Sequence, residues 1–502
     1  MPLRIDSWKE IAVYLKRGTR TVQRWEREEG LPVHRLVHDK LGSVYAFDEE
    51  LDAWWSARKP LQERQGVWAA PPEDDKPSIA VMPFVDWSEE RDQGYFCDGM
   101  AEEIIIALSR IRSLRVASRM ASFRFRNAGA DTMEVGRKLR ARTLLEGSVR
   151  KSGGRLRIAV QLTAAQDGFQ MWAEVYDRTM GDVFAIQEEI AGTVARELKL
   201  TLTPGEREAL ARVPTRDLDA YDLYLQGRTS YFRYSNAGVE RAIQLFAQAV
   251  EKDHEFPLAY AGLADCWSYL FLYSERSAEY LARADEASLR AVALDPQSSQ
   301  AHASRALVLS LKSRDEEAER AFKEAIRLDP NLFEAHYFYA RHAFNMGQQE
   351  KALSLYEQAM RIRPEDYQAP LLAAQTYDDF GRPEDARAAR LHGIEEVEQH
   401  LLAHPDDSRA VYLAANGMAG LGQKERALEW AGRALAMSPN DPMLLYNIGC
   451  IYSMLGKLDD AMATLESAAR HGLRQRGWFE HDSNLDPLRR RKRFKNLLEM
   501  LD

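Results

Sequence analysis

Residues 296–329 read PQSSQAHASRALVLSLKSRDEEAERAFKEAIRLD, and residues 330–363 read PNLFEAHYFYARHAFNMGQQEKALSLYEQAMRIR. Set one above the other, the two segments agree in kind. Proline comes first, Ala306 sits over Ala340 ten residues on, and Ala318 sits over Ala352 twelve residues later. The frame continues along the chain. Pro296, Pro330 and Pro364 are spaced by 34 residues, as are Pro405 and Pro439, and the step from Pro364 to Pro405 carries seven extra residues, about two turns of helix. The small positions recur as Ala374, Ala415 and Gly449, and as Ala386, Ala427 and Ala461, with Gly347, Gly381, Gly422 and Gly456 between them as turns.

Small residues at fixed places let two helices of a pair approach closely, where a larger side chain would force them apart. A 34-residue period with this pattern resembles the tetratricopeptide (TPR) repeat. Less regular units, Leu218 to Glu251 and Pro257 to Asp295, carry Ala242, Ala264 and Ala284 in matching places. The reading is about seven units over residues 215–476, an all-α TPR superhelix, with residues 477–502 as a capping segment.

The resemblance implies a concave face, lined by first helices, that binds a protein or peptide partner. By repeat position that face holds Glu334, Tyr337, Arg341, Gln375, Arg409, Tyr412, Asn416 and Tyr446, aromatic and hydrogen-bonding groups suited to an extended peptide. Asn416 and Asn447 match two positions of the carboxylate clamp of chaperone-binding relatives. Tyr412 stands where that clamp has a lysine, so binding of chaperone tails is not expected.

Upstream, residues 78–203 alternate strand and helix. The runs are Ile79 to Phe84, Asp98 to Arg110, Leu114 to Ala117 and Asp131 to Leu139, then strands Thr143 to Lys151, Leu156 to Thr163 and Gln170 to Tyr176, and a helix from Asp182 to about Leu198. That order predicts an α/β domain with a mixed sheet and helices on one face. SIAVMPF, GYFCDGMAEEIIIALSRI, LLEGSVRKSGGRLRIAVQL and WAEVYDR resemble the TolB-amino-terminal-like domain, which implies a binding or assembly module without catalytic residues. Asp98, Glu102 and Glu103 read as acids favouring a helix start, the alternative being a carboxylate pair. The arginines from Arg110 to Arg126, with Phe123 and Phe125 among them, read as neutralised by the acidic repeats or solvated, the alternative being a second anion-binding surface.

Residues 1–59 read as helix, tight turn, helix, hairpin and helix. Ser7 and Glu10 have capping-box spacing, and Val22 and Trp25 share one side of a second helix. Arg20, Thr21, Gln23, Arg24 and Arg27 fall elsewhere on it, placed for a major groove, and Arg35 lies on the hairpin. SWKEIAVYLKRGTRTVQRWEREEGLPVHR resembles the excisionase and MerR-like winged helix-turn-helix family. The resemblance implies a partner in double-stranded DNA, bound weakly by one copy, so that specific binding calls for a homodimer. Residues 60–77, with Pro60, Pro71 and Pro72, read as a flexible linker.

Composition fits this multidomain plan. At 502 residues the chain exceeds what one core usually holds, about 250 to 300 residues. Between Arg110 and Arg157 fourteen Lys or Arg face three acids, although the formal charge of the whole is −9, so charge is segregated and does not exclude an anionic partner. The three cysteines lie more than 150 residues apart, which predicts buried thiols in a reducing compartment. No apolar run is long enough to cross a membrane, so a cytoplasmic protein is expected. No P-loop, G-x-S-x-G, H-E-x-x-H or kinase motif set occurs, and His302 and His336, one repeat apart, read as stacked repeat residues. Some proteins with these repeats are labelled adenylate cyclases, but the three modules leave no room for a cyclase domain. The sequence thus predicts a DNA-binding regulator with a TPR interaction domain, no cofactor and no enzymatic activity. The alternative is a protein scaffold or adaptor whose helix-turn-helix does not read DNA.

Overall fold

The computed structural model describes residues 4–14, 22, 26, 31–36, 43–51, 76–126, 131–152, 155–210, 213–233, 235–274 and 276–501. They fall into two compact units, Met1–Glu73 and Asp74–Asp502.

In the first unit, strands β1 (Arg4–Asp6), β2 (His34–Leu36) and β3 (Ser43–Phe47) form an antiparallel sheet in the order β1-β3-β2, with helix α1 (Trp8–Tyr14) after β1. The hairpin pairs Arg35 with Val44, as the alternation of the sequence requires. The capping box forms with a shift. Ser7 Oγ accepts from the Glu10 amide at 3.4 Å, but the Glu10 carboxylate takes the amide of Asp6. The Ser7 amide is already donated to the Val44 carbonyl, so strand pairing claims the donor that the box would use. Ile5, Ile11, Val22, Leu31, Ala46 and Leu51 make the core. Arg20, Thr21, Gln23, Arg24 and Arg27 lie outside the described residues, as does most of the expected linker.

The second unit opens with a mixed sheet of β4 (Ser78–Val81), β5 (Val85–Asp86), β6 (Arg115–Val116), β7 (Thr143–Ser152), β8 (Arg155–Ala164) and β9 (Gln170–Thr179). β4 runs parallel to β6 and β7, and β7, β8 and β9 form an antiparallel meander. Helices α2 (Gly94–Ser109), α3 (Arg119–Phe123), α4 (Thr132–Leu139) and α5 (Val183–Glu197) accompany it. The helices do not share one face. Ile79, Val81 and Leu145 pack with α2 and α5, whereas Ala80 and Leu144, pointing the other way, are covered by Val135 of α4. A strand buried along its whole length reads as an unbroken apolar run, and Ile79-Ala80-Val81 is such a run.

After α6 (Pro204–Leu210), the described helices form seven pairs: α7 (Leu218–Tyr231) with α8 (Asn236–Lys252), α9 (Pro257–Tyr273) with α10 (Ala278–Leu294), α11 (Ser299–Leu311) with α12 (Asp315–Leu328), α13 (Phe333–Asn345) with α14 (Gln349–Ile362), α15 (Gln368–Asp379) with α16 (Pro383–Ala403), α17 (Ser408–Gly420) with α18 (Lys424–Met437), and α19 (Pro442–Met454) with α20 (Leu458–Arg470). Helix α21 (Arg476–His481), a 3-10 turn (Ser483–Leu488) and α22 (Lys492–Glu499) follow. α16 is 21 residues long against 14 for α14 and α18, which absorbs the seven extra residues between Pro364 and Pro405.

The periodic small residues sit at the crossings. Ala306, Ala340, Ala415, Ala318, Ala352, Ala386, Ala427 and Ala461 are all fully buried, and a Cβ on Gly449 would lie 2.6 Å from Leu465. The turns of the last four pairs close alike: Gly347, Gly381, Gly422 and Gly456 have φ of +70°, +66°, +75° and +74°. Ser313, one period before Gly347, takes the same conformation at φ +56°.

Sheet and repeats share one core. Phe96, Met100 and Ile104 of α2 cluster with Ala220, Tyr221, Tyr224 and Leu225 of α7. The close approach is at Gly99, where a Cβ would meet Leu225 Cδ2 at 2.6 Å.

Candidate partner-binding face of the repeats

First helices of successive repeats place their side chains on the inner face because each helix repeats the direction of the one a period before. Every predicted residue whose contacts are known is engaged within the chain. Glu334 pairs with Arg363 at 2.9 Å, whose charge and hydrogen bond hold the carboxyl below its usual range despite the opposing effect of burial. Arg341 donates to Tyr273 Oη at 2.6 Å, and Arg409 donates to Tyr337 Oη. Tyr412 is buried, and Asn416 is half-buried. Gln375 accepts from Asn484 at 2.8 Å, and Tyr446 donates to Asp482 at 2.7 Å.

Two of these partners, Asn484 and Asp482, belong to the C-terminal segment. It packs against α13, α15 and α19. Tyr446 meets the rings of Trp478 and Phe479 with centroids 6.0 and 5.1 Å away, and Gln349 donates to the His481 carbonyl. Gly477 permits this path, since a Cβ there would lie 2.0 Å from the Asn345 carbonyl oxygen. Leu272 and Tyr273 of the second repeat share a cluster with Met443 and Tyr446 of the seventh. Phe494 and Leu497 are buried, and Arg491 and Arg493 pair with Asp459 and Glu466.

The sheet domain also contributes to the repeats. Arg124 pairs with Glu396 of α16 at 2.6 Å and donates to the Glu365 carbonyl. Arg119 and Arg228 both pair with Glu102, and Arg126 with Asp98. Asp98 and Glu102 lie more than a turn inside α2, which begins at Gly94. They act as counter-ions to these arginines and not as acids at a helix start. Arg119 also lies over the rings of Phe123 and Phe232, 4.4 and 4.6 Å from their centroids. Sequence reading expected acids of the repeats as partners for these arginines, and Glu396 is one for Arg124; that Glu102 and Asp98 of α2 serve Arg119, Arg228 and Arg126 was not read from the sequence.

Elsewhere, Arg35 pairs with Glu26 in the first unit while remaining 63% exposed. His302 and His336 each bond the carbonyl of the proline six residues earlier at 2.9 Å, the same role one period apart. Cys97, Cys266 and Cys450 are buried thiols. Among the described residues no group of three or more His, Cys, Asp or Glu is placed to hold a metal ion, and no helix is long and apolar enough to cross a membrane.

The mixed-sheet region is followed by stacked, glycine-turned helix pairs, and those pairs have the architecture of a tetratricopeptide protein-interaction domain. Tetratricopeptide repeat models match residues 299–332, 333–366 and 431–463. The chain is 32% identical over 303 residues to a putative adenylate cyclase 3 of Rhizobium meliloti (strain 1021), an alignment covering 58% of this chain and 52% of the relative. The chain thus spans about half the length of that curated relative. Among solved structures it is similar to TTC0263, a thermophilic TPR protein of Thermus thermophilus, at 19% identity and TM-score 0.31, covering 38% of this chain and 98% of the other. It is also similar to YrrB, a TPR protein with an unusual peptide-binding site, at 22% identity and TM-score 0.25, covering 40% and 94%.

Proposed function

We propose that this protein is an adaptor that holds a protein or peptide partner on its repeat domain, with residues 78–203, resembling the TolB-amino-terminal-like domain, as an assembly module fixed to it. The observation that carries this reading is the continuous core between α2 and α7, which makes sheet and repeats one rigid platform. Glu334, Tyr337, Arg341, Gln375, Arg409, Tyr412, Asn416 and Tyr446 are the proposed partner contacts, reached when the C-terminal segment yields its place. The test is quantitative affinity purification with the full chain and with a Tyr337→Ala, Asn416→Ala variant. Recovery of the same partners at the same levels by both would refute the assignment of these residues.

A second reading makes residues 1–59 a winged helix-turn-helix that directs the adaptor to double-stranded DNA. It is supported by the three-stranded sheet and the Ser7-capped α1, and by Arg20, Thr21, Gln23, Arg24, Arg27 and Arg35 in the sequence. A reader of this size buries about 600 to 1,000 Å², so two copies side by side are proposed. Duplex binding by the full chain should weaken with salt by about 0.9 log unit per phosphate contacted. No binding at low salt, or binding unchanged by Arg20→Ala and Arg24→Ala, would leave the adaptor reading alone. The cyclase name belongs to the rhizobial relative, and for this chain the proposal is a non-enzymatic role. Formation of cyclic nucleotide by the purified chain would overturn it.

A further inference from the structure

Among the described residues, the inner face of the repeats holds three arginines without an ion-paired acid. Arg341 and Arg409 flank the same two tyrosines. Arg409 Cζ lies 4.4 Å from the Tyr273 ring centroid and 5.8 Å from that of Tyr337, and Arg341 Cζ lies 6.0 and 5.7 Å from them. Arg341 is also 5.4 Å from the ring of Trp478. Arg276, after α9, lies over Phe271 at 4.6 Å. All three are half-buried, and among the described residues none has a carboxylate within ion-pair distance.

The acids around them are already committed. Glu334 is paired with Arg363, Asp407 with His400 at 2.8 Å, and Asp482 with Tyr446. Asp366 accepts from the amide of Ala369, and Asp441 caps α19 through the amides of Met443 and Leu444. Burial pushes the Asp441 carboxyl up to about 7, which weakens it as a counter-ion. Burial, together with the charge of Arg341, pulls Arg276 down to about 10. Arg409 Nε and Arg276 Nη1 are buried and have no hydrogen-bond partner. Tyrosine hydroxyls and ring faces solvate a guanidinium but do not neutralise it, and an uncompensated buried charge is costly.

We propose that Arg341 and Arg409, with Arg276 beside them, form a binding site for a small oxyanion, a phosphate or carboxylate group, on the inner face of the repeats. Two planar forks with unused N–H donors suit an oxyanion better than a halide. Tyr273, Tyr337 and Trp478 supply an aromatic wall for whatever carries the group. Because Trp478 belongs to the C-terminal segment, bound anion ties that segment to the repeats. The inference goes beyond the adaptor reading, since no protein is needed to fill the site, and anion binding is measured separately from partner capture.

The test is thermal unfolding and calorimetric titration of the full chain with inorganic phosphate and with citrate, against sodium chloride at equal ionic strength. The expected result is a rise in Tm of about 2 °C or more with at least one anion, lost in Arg341→Met and Arg409→Met. A response to phosphate alone assigns a phosphate group, and to citrate alone a carboxylate. Should the Met variants not fold, Arg341→Lys and Arg409→Lys keep the charge but lose the fork, and affinity should fall about tenfold or more. No rise beyond that of chloride, or an equal rise in wild type and Lys variants, overturns the proposal.

Discussion

Replacing Ser313 by glycine should stabilise the repeat domain. Ser313 stands at the turn of the α11–α12 pair with φ +56°, where Gly347, Gly381, Gly422 and Gly456 serve the later pairs. The hydrogen bonds are the same at all five. The amide after the turn residue reaches back to the carbonyl five residues earlier, Arg314 to Leu309 at 2.9 Å, Gln348 to Ala343 at 2.9 Å, Arg382 to Tyr377 at 2.8 Å, Gln423 to Met418 at 2.9 Å and Lys457 to Tyr452 at 2.8 Å. Nothing but the side chain distinguishes the first turn. A non-glycine residue in the left-handed region costs about 1 to 2 kcal/mol, and glycine returns about 0.5 to 1 kcal/mol of that through its greater freedom when unfolded. The net gain for Ser313→Gly is therefore about 0.5 to 1 kcal/mol.

The reverse change separates backbone from packing. A Cβ at Gly381 meets nothing within 4 Å, whereas one at Gly347 would lie 2.9 Å from the His481 ring. Gly381→Ala should cost about 1 kcal/mol, and Gly347→Ala more, because the C-terminal segment must also shift. Urea unfolding followed by far-UV circular dichroism, with hydrogen exchange across α11 and α12, reads all three. A Ser313→Gly protein no more stable than wild type, beside a Gly381→Ala that loses stability, would refute the reasoning. So would equal losses at Gly347 and Gly381.

Three further outcomes follow from the same structure. Burial raises the carboxyls of Glu103, Asp265, Glu365 and Asp441 to about 7. Their folded values exceed the unfolded ones, so they penalise folding above pH 7 and the penalty is relieved as pH falls. Stability should rise from pH 8 to pH 6.5 by on the order of 1 kcal/mol, until His336, His342 and His404, whose values burial lowers, begin to favour the unfolded chain. A denaturation series that is flat or falling over that interval contradicts this. Tyr446→Phe removes the donor to Asp482 and the Trp478 carbonyl, and should cost about 1 to 3 kcal/mol. It should also speed proteolysis between residues 474 and 490, and an unchanged cleavage rate would argue against the inner-face path. Gly449→Ala drives a Cβ into Leu465 while Gly432→Ala, on α18, meets nothing within 4 Å. The first should destabilise by about 1 to 3 kcal/mol and the second stabilise by up to about 1 kcal/mol, as thermal melts would show.

Short-range physics carried most of the fold into the sequence. The 34-residue spacing of Pro296, Pro330 and Pro364 needs only neighbouring helices to explain it, and glycine at Gly381 or Gly422 needs only the local φ. The strands from Thr143 to Thr179 were likewise legible, because alternation and the hairpin turn are local signals. The helix positions of the proposed partner contacts were legible, but not their partners within the chain. Tyr337, Arg341, Arg409 and Tyr446 were placed on the first helices by repeat position, yet their partners lie far away in sequence: Arg341 bonds Tyr273 from 68 residues away, and Gln375 meets Asn484 from 109.

By itself, then, the sequence determined the repeat period, the crossing residues, the glycine turns and the succession of strands, because each is an interaction within one or two periods of chain. Tertiary structure alone decided that α4 covers the second face of the sheet, and that Glu102 serves Arg119 and Arg228. It alone also decided that the C-terminal segment lies on the inner face, beside Arg276, Arg341 and Arg409, for which the described residues offer no carboxylate within ion-pair distance. Those outcomes depend on how many residues a curving array needs before its seventh repeat meets its second, a sum over every crossing that no single residue records.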